Sequence, residues 1–286
     1  MFLALWGNWL RGWLHGMARE KVRQGVTEAA QKHLDPGEAQ QAGPCDVGVV
    51  FALGIEAGGL EDLLAERVAI QGYGFRASQG RLGEKKVAVV QSGPGAEAAA
   101  RATEALLDGH RPDWVVSAGL AGGLAPEMKR HDVVMADHLV GPAGRRLALE
   151  LRVDPDSLAS LPGVHVGTLL SVDEVVRLPE EKHALHEKHG AMAVDLETFA
   201  AAEVCRRRHV RFLAVRVISD PVDETLPPDV QRLLDQPTTP ARLGAALGSV
   251  WRRPSSVKDL WRLKENALVG SERLGKFLAA MIGQLG

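Results

Sequence analysis

The chain predicts an α/β fold, a sheet with helices on both faces, from three observations. Short apolar, β-branched runs recur between residues 46 and 235 and read as buried strands. Ala-rich or charged segments at helical spacing separate them, so strand and helix signals alternate. The run from Phe212 to Ile218 ends in Ser219-Asp220, which places polar groups at the carboxyl edge of the sheet, where open α/β folds bind ligands.

Residues 1–45 read as an amphipathic helical extension and linker. Phe2, Trp6, Trp9/Leu10, Trp13 and Met17 recur every three or four residues and share one helical face. Arg11, Arg19, Lys21, Arg23 and Lys32 follow, the pattern of an interfacial membrane helix. The competing reading is a helix docked on the protein's own core or on a second subunit. The segment is too short and too polar to span a bilayer, and it lacks the basic start and cleavage site of a secretory signal. Residues 34–44 are rich in turn formers.

The core, residues 46–235, is read in order as strand Val47–Ala52, helix Ile55–Glu66, strands Val68–Gln71 and Lys86–Val90, and helix Ala96–Leu107. Strands Trp114–Ser117, Asp132–Ala136 and Val164–Leu170 come next. Helix Glu180–His189, strand Ala193–Asp195, helix Thr198–Arg207 and strand Phe212–Ile218 complete it. Residues 236–286 form a helical C-terminal extension split near Arg252-Arg253-Pro254. Leu260, Leu263, Leu268, Leu274, Phe277, Leu278 and Met281 offer it an apolar face, and Trp251, Lys258, Trp261, Arg262 and Lys264 a basic, aromatic one.

Composition narrows the function classes. At 286 residues, 45% hydrophobic and 24% charged, the chain can bury a full core. A net charge of −2 provides no field for nucleic acid. Cys45 and Cys205 have neither metal-ligand spacing nor a disulfide framework, and a cytoplasmic location is expected, with peripheral contact on the inner membrane face as the N-terminal alternative. The ten histidines form no ligand pair at helical spacing, so no metal site is expected.

Three acids each lie close after a strand: Glu56, the Asp195/Glu197 pair and Asp220. They suggest one cleft assembled from distant parts of the chain. The blocks Val47–Glu56, Ser92-Gly93-Pro94-Gly95, Ser117 to Pro126 with His131–Val134, Val194–Glu197 and Arg216–Asp220, in this order, resemble the nucleoside phosphorylase/nucleosidase superfamily. They are most similar to its nucleosidase branch, which includes 5'-methylthioadenosine/S-adenosylhomocysteine nucleosidase. The resemblance implies a single-domain three-layer α/β/α fold with a central mixed, largely parallel sheet. It also implies a homo-oligomer, a small-molecule nucleoside substrate and no cofactor. Asp223–Pro228 and the Pro-bounded tail further resemble a hopanoid-associated subgroup that acts on adenosylhopane.

Cleaving an N-glycosidic bond builds positive charge on the ribose and negative charge on the base. A buried carboxylic acid beside the purine serves as general acid, and the resemblance assigns this to Asp220, with Ser219 orienting it or bonding the base. Capping of the next turn is the competing role for Asp220. Glu197 would accept the ribose hydroxyls and Leu196 would pack on the sugar; a carboxylate near a helix start is the plainer reading of Glu197. Glu56 would hold and polarise the attacking water, against the plainer reading of a solvated acid in the first turn of a helix. Ser92 and Gly93 form a turn before a helix, a natural anion or sugar site. Gly119 permits close backbone approach or simply makes a turn.

Two departures from the family pattern matter. Phosphorylases carry an Arg just ahead of the central Gly-rich turn, where this chain has Ser117, which argues for water as nucleophile. Nucleosidases place a Phe over the adenine, where this chain has Val175; backbone groups of Val175 and Val176 remain to read a purine edge. The expected activity is hydrolysis of an adenosine-type, 5'-substituted nucleoside. The alternatives are a phosphorylase whose phosphate clamp is Arg145 or Arg146, acting on a lipid-linked adenosyl substrate such as adenosylhopane, and a non-catalytic binding protein on the same fold.

Overall fold

The structure, a computed structural model, describes residues 43–70, 75–151, 161–228, Val230 and 256–285, with side chains in the last segment from Leu263 onward. The Trp-rich N-terminal face, the linker up to residue 42 and the basic cluster Trp251–Arg253 lie outside the described residues. No helix among the described residues is long and apolar enough to cross a membrane.

The first strand, β1 (Val47–Phe51), is buried along its whole length. Val47, Val49 and Phe51 face one hydrophobic cluster and Val50 the other, as the two-residue period of a strand requires. Helix α1 (Gly54–Glu61) follows, then β2 (Ala65–Ile70), β3 (Arg76–Leu82) and β4 (Lys85–Gln91). The helix expected to reach Glu66 stops at Glu61, because residues 65–70 join an antiparallel ladder with β3. Strand β3, unforeseen, has no apolar run; backbone pairing on both sides makes it a strand.

Helix α2 (Ala96–His110) leads into β5 (Trp114–Gly123), then β6 (Val133–Val140), β7 (Arg146–Ala148) and β8 (Val164–Ser171). Helix α3 (Pro179–His189), β9 (Ala193–Asp195), α4 (Thr198–Arg207) and β10 (Arg211–Asp220) complete the core. One expectation is overturned here. The stretch Ser117–Gly123 is not a Gly-rich turn but the second half of β5, and Gly119, Gly122 and Gly123 all have negative φ.

The sheet also departs from the expected largely parallel one. Among the described residues its strand pairs divide evenly: β1–β4, β1–β5, β5–β10, β6–β8 and β8–β9 are parallel, and β2–β3, β3–β4, β5–β9, β6–β7 and β6–β10 antiparallel. Because β5 pairs with both β10 and β9, the path β5–β10–β6–β8–β9 closes on itself. The fold is thus a mixed α/β sheet rolled into a closed ring at one end, not a plain layer.

Helices α2 and α4 cover one cluster through Ala102, Leu106, Phe199 and Cys205. Helix α1 and the C-terminal helix α5 (Ser256–Ile282) cover the other through Ala57, Leu60, Leu274, Leu278 and Ile282. Leu274, Phe277, Leu278 and Met281 of the tail's apolar face therefore belong to the core, whereas Leu268 is exposed. Gly59 and Gly275 let α1 and α5 touch backbone to backbone: a Cβ on Gly59 would lie 2.0 Å from the Ser271 carbonyl oxygen.

Candidate active site

Strand β5 exchanges partners along its length, and the cleft opens there. Its first half pairs with β1 up to Ser117, and Gly122-Gly123 pair instead with β9. Between these points the backbone has no strand partner on that side. A small cleft lies there, lined by Phe51, Ala52, Glu56, Ser92, Ser117, Gly119, Leu120, Glu197 and Arg216 among others. Strand divergence at a sheet edge is where α/β folds commonly bind ligands.

Glu56 sits in the first turn of α1 and is buried. Its Oε2 accepts the Leu53 N–H at 2.8 Å, and its Oε1 accepts the Leu120 N–H at 2.9 Å. The first bond is half of a capping box and the second ties the helix start to β5. Gly119 makes this approach feasible, since a Cβ there would lie 2.9 Å from Glu56 Oε1. Burial holds the Glu56 carboxyl above the usual range, against its two amide bonds and the positive charge of Arg216. The solvated-acid reading of Glu56 is thereby set aside.

Glu197, just ahead of α4, accepts the Gly95 N–H on Oε1 at 2.8 Å and the Leu196 N–H on Oε2 at 3.2 Å. Burial and the nearby Asp195 push its carboxyl up to about 7. The Ser92 hydroxyl reaches the carbonyl oxygens of Phe51 at 3.2 Å and Gly93 at 2.6 Å. Gly93 has φ +85°, a backbone conformation that favours glycine.

Arg216, given no role of its own in the sequence reading, is the cation beside these acids. It is buried, and its Nε donates to Asp195 Oδ2 at 2.8 Å. Its Nη2 donates to Ser117 Oγ at 2.9 Å and Thr198 Oγ1 at 2.6 Å, and its Nη1 to the Val215 carbonyl at 3.0 Å. Asp195, assigned no part beforehand, anchors this network and also accepts Ser171 Oγ at 2.6 Å. A lone Arg inside an apolar strand was the available signal, since such a residue needs a buried partner.

Asp220 ends β10 outside this lining. It is buried, and a Cβ on Gly122 would lie 3.3 Å from its Oδ2. Ser219 Oγ donates to its Oδ1 and also reaches the Ala121 carbonyl at 3.1 Å. Its Oδ2 accepts Lys182 Nζ at 2.6 Å. Burial pushes the Asp220 carboxyl up, and the Lys182 ammonium opposes that shift. Lys182 was missed because its helix, α3, reads as a solvated, charged segment.

Val175 and Val176 lie in the loop after β8, where Val176 packs against the buried cluster of Leu124, Val140, Leu170, Ala191 and Val194. Neither they, Leu196, Gly93 nor Ser219 lines the cleft. The alternative phosphate ligands do not line it either. Arg145 pairs with Glu203 at 2.9 Å and stands over the Phe199 ring, and Arg146 donates to the His189 carbonyl at 3.2 Å. Among the described residues no group of His, Cys, Asp and Glu could hold a metal ion.

The sequence profile described as "Phosphorylase superfamily" matches residues 46–237. Among solved structures, the chain is similar to a 5'-methylthioadenosine/S-adenosylhomocysteine nucleosidase of Helicobacter pylori, with 20% identity and a TM-score of 0.65 over 85% of this chain and 100% of that one. The corresponding nucleosidase of Neisseria meningitidis is 21% identical, with a TM-score of 0.66 over 84% and 99%. Futalosine hydrolase of Helicobacter pylori is 20% identical, with a TM-score of 0.65 over 84% and 98%. At these identities the likeness establishes the shared fold.

Proposed function

The chain belongs to the phosphorylase superfamily, and on that premise we propose that it is a nucleoside N-glycosidase. It hydrolyses an adenosine-type, 5'-substituted nucleoside, of the methylthioadenosine or S-adenosylhomocysteine kind, and releases the purine base. One observation carries the preference for water over phosphate. The cleft presents the carboxyls of Glu56 and Glu197, and the one cation that lines it among the described residues, Arg216, is already bonded to Asp195, Ser117, Thr198 and the Val215 carbonyl. Such a site repels a phosphate dianion but suits a neutral water and a cis-diol.

In this reading Glu197 accepts the ribose hydroxyls, with Leu196 beside it. Ionised Glu56 orients a water and takes its proton as the water oxygen bonds to the anomeric carbon. The bond from that carbon to the base breaks, its electron pair passes to the base, and protonated Asp220 donates to the base nitrogen. Ser92, Gly93 and Gly119 shape the sugar side, and Val175 and Val176 the base side.

The test is release of free base from methylthioadenosine, S-adenosylhomocysteine, adenosine and inosine, with and without phosphate. Phosphate-independent adenine release that disappears in Asp220→Asn is the expected result. Strict phosphate dependence would replace the reading with phosphorolysis. A cytoplasmic homo-oligomer, with peripheral membrane contact through residues 1–33, accompanies the proposal. Liposome flotation unchanged by deleting those residues would remove the membrane part.

A further inference from the structure

The proposed reaction gives Lys182 no task, yet few lysines are so completely enclosed. Its side chain is 0% exposed. Its ammonium donates at 2.6 Å to Asp220 Oδ2, at 2.9 Å to the Pro221 carbonyl and at 2.8 Å to the Glu224 carbonyl. Three protons meet three acceptors, which is full satisfaction for an ammonium ion. A charge so deep is tolerated only when paired and hydrogen-bonded. α3 therefore delivers a cation to the end of β10.

The geometry is also rigid. Lys182 spans Asp220 and the loop after it, while Leu226 N–H donates to the Arg177 carbonyl at 3.0 Å and Arg177 returns bonds to the carbonyls of Leu226 and Pro227. The stretch after β8 that carries Val175 and Val176 is thus stitched to the loop after Asp220. The charged groups bearing on Asp220 are Lys182 from α3 and Glu224 from that loop. Glu224 is itself paired with Arg130. Gly122 of β5, also against Asp220, brings no charge.

We infer that Lys182 is a positioning residue for Asp220: it fixes the orientation of the carboxyl and balances its charge at the point where the base would leave. The catalytic half of this inference rests on the proposed nucleosidase reading; the electrostatic half does not. A neutral residue at 182 would leave Asp220 buried without a cation, so its carboxyl would keep its proton to higher pH.

The experiment follows the Asp220 carboxyl by NMR of the full chain labelled with 13C-aspartate, in the wild type and in Lys182→Met, with Asp220→Asn assigning the signal. The same proteins are assayed for base release across pH. An upward move of the Asp220 midpoint by about one pH unit or more, with the alkaline limb of kcat moving alongside, is expected. A residue that only supports the fold would lower kcat at every pH without moving the limb, and an unmoved midpoint overturns the inference. If the wild type releases no base, the nucleosidase reading fails while the carboxyl titration still decides the role of Lys182. Should Lys182→Met not fold, Lys182→Met/Asp220→Asn decides: recovered folding supports the pairing, and continued failure overturns it by making Lys182 an anchor of the fold alone.

Discussion

The two acidic ends of this site are built on opposite electrostatic plans. In the cleft between β1 and β5, Glu56 and Glu197 have backbone amides for partners, and the nearby Arg216 bonds to Asp195 instead. At the end of β10, Asp220 has a buried ammonium of its own. The difference teaches that burial alone does not decide how an acid behaves. Glu197, without a counter-ion of its own, is pushed up to about 7 and can exchange a proton there, and burial raises Glu56 as well. An acid held by an ammonium is kept in place and depends on that partner for its charge.

The largest expected effect tests the paired end. Asp220→Asn should lower base release by ~10²–10⁴-fold, the usual worth of a positioned general acid. It should also cost about 3–5 kcal/mol of stability, because it strands the Lys182 ammonium. A thermal melt read beside the assay checks both, and an unchanged melting temperature would mean that the pair does not carry the local fold. At the unpaired end, Glu56→Gln should lower phosphate-independent release by ~10²-fold or more through loss of the base that takes the water's proton. A rate within threefold of wild type would move the water elsewhere.

Glu197→Gln should have the opposite sign in stability. The folded carboxyl, at about 7, lies above its ordinary value of 4.5. The folded state therefore binds the proton more tightly, and stability is greatest below 4.5 and declines as pH rises toward 7. Removing the charge should raise stability at pH 8 by up to about 3 kcal/mol and leave it nearly unchanged at pH 4. The variant should also lose the rise in kcat/KM that accompanies ionisation of Glu197 near pH 7. A stability loss at pH 8 would show that the carboxylate is compensated after all.

The smallest effect compares two glycines of β5. A Cβ at Gly119 would meet Glu56 Oε1 at 2.9 Å, whereas one at Gly122 would stand 3.3 Å from Asp220 Oδ2. Gly119→Ala should cost about 1–3 kcal/mol and slow base release. Gly122→Ala should cost less, and equal costs in denaturant unfolding would show that both acids yield alike.

Much of the fold was legible. Runs such as Val47–Phe51 and Phe212–Ile218 are apolar and β-branched because both their faces are covered, so they announce buried strands without help. Strand β3 was not legible, since Arg76–Leu82 becomes a strand only through its two neighbours. The glycines of β5 looked like a turn because clearance for a side chain from elsewhere leaves the same mark in sequence as a positive φ. Among site residues, Glu56, Glu197, Ser92 and Gly119 stood out by place and motif, and the fold brings these together in one cleft.

By itself the sequence determined the alternation of strands and helices and the family, because these depend on local residue type and on short motifs. It also marked the acids just after β1 and β9 and at the end of β10. Tertiary structure alone decided the closing of the sheet, the seat of α5 on α1, and the partner of each charge. Arg216 goes to Asp195 and Lys182 to Asp220 across 21 and 38 residues of chain. Charge pairing is set by distance in space and by exclusion of water, and no local pattern in the chain records either.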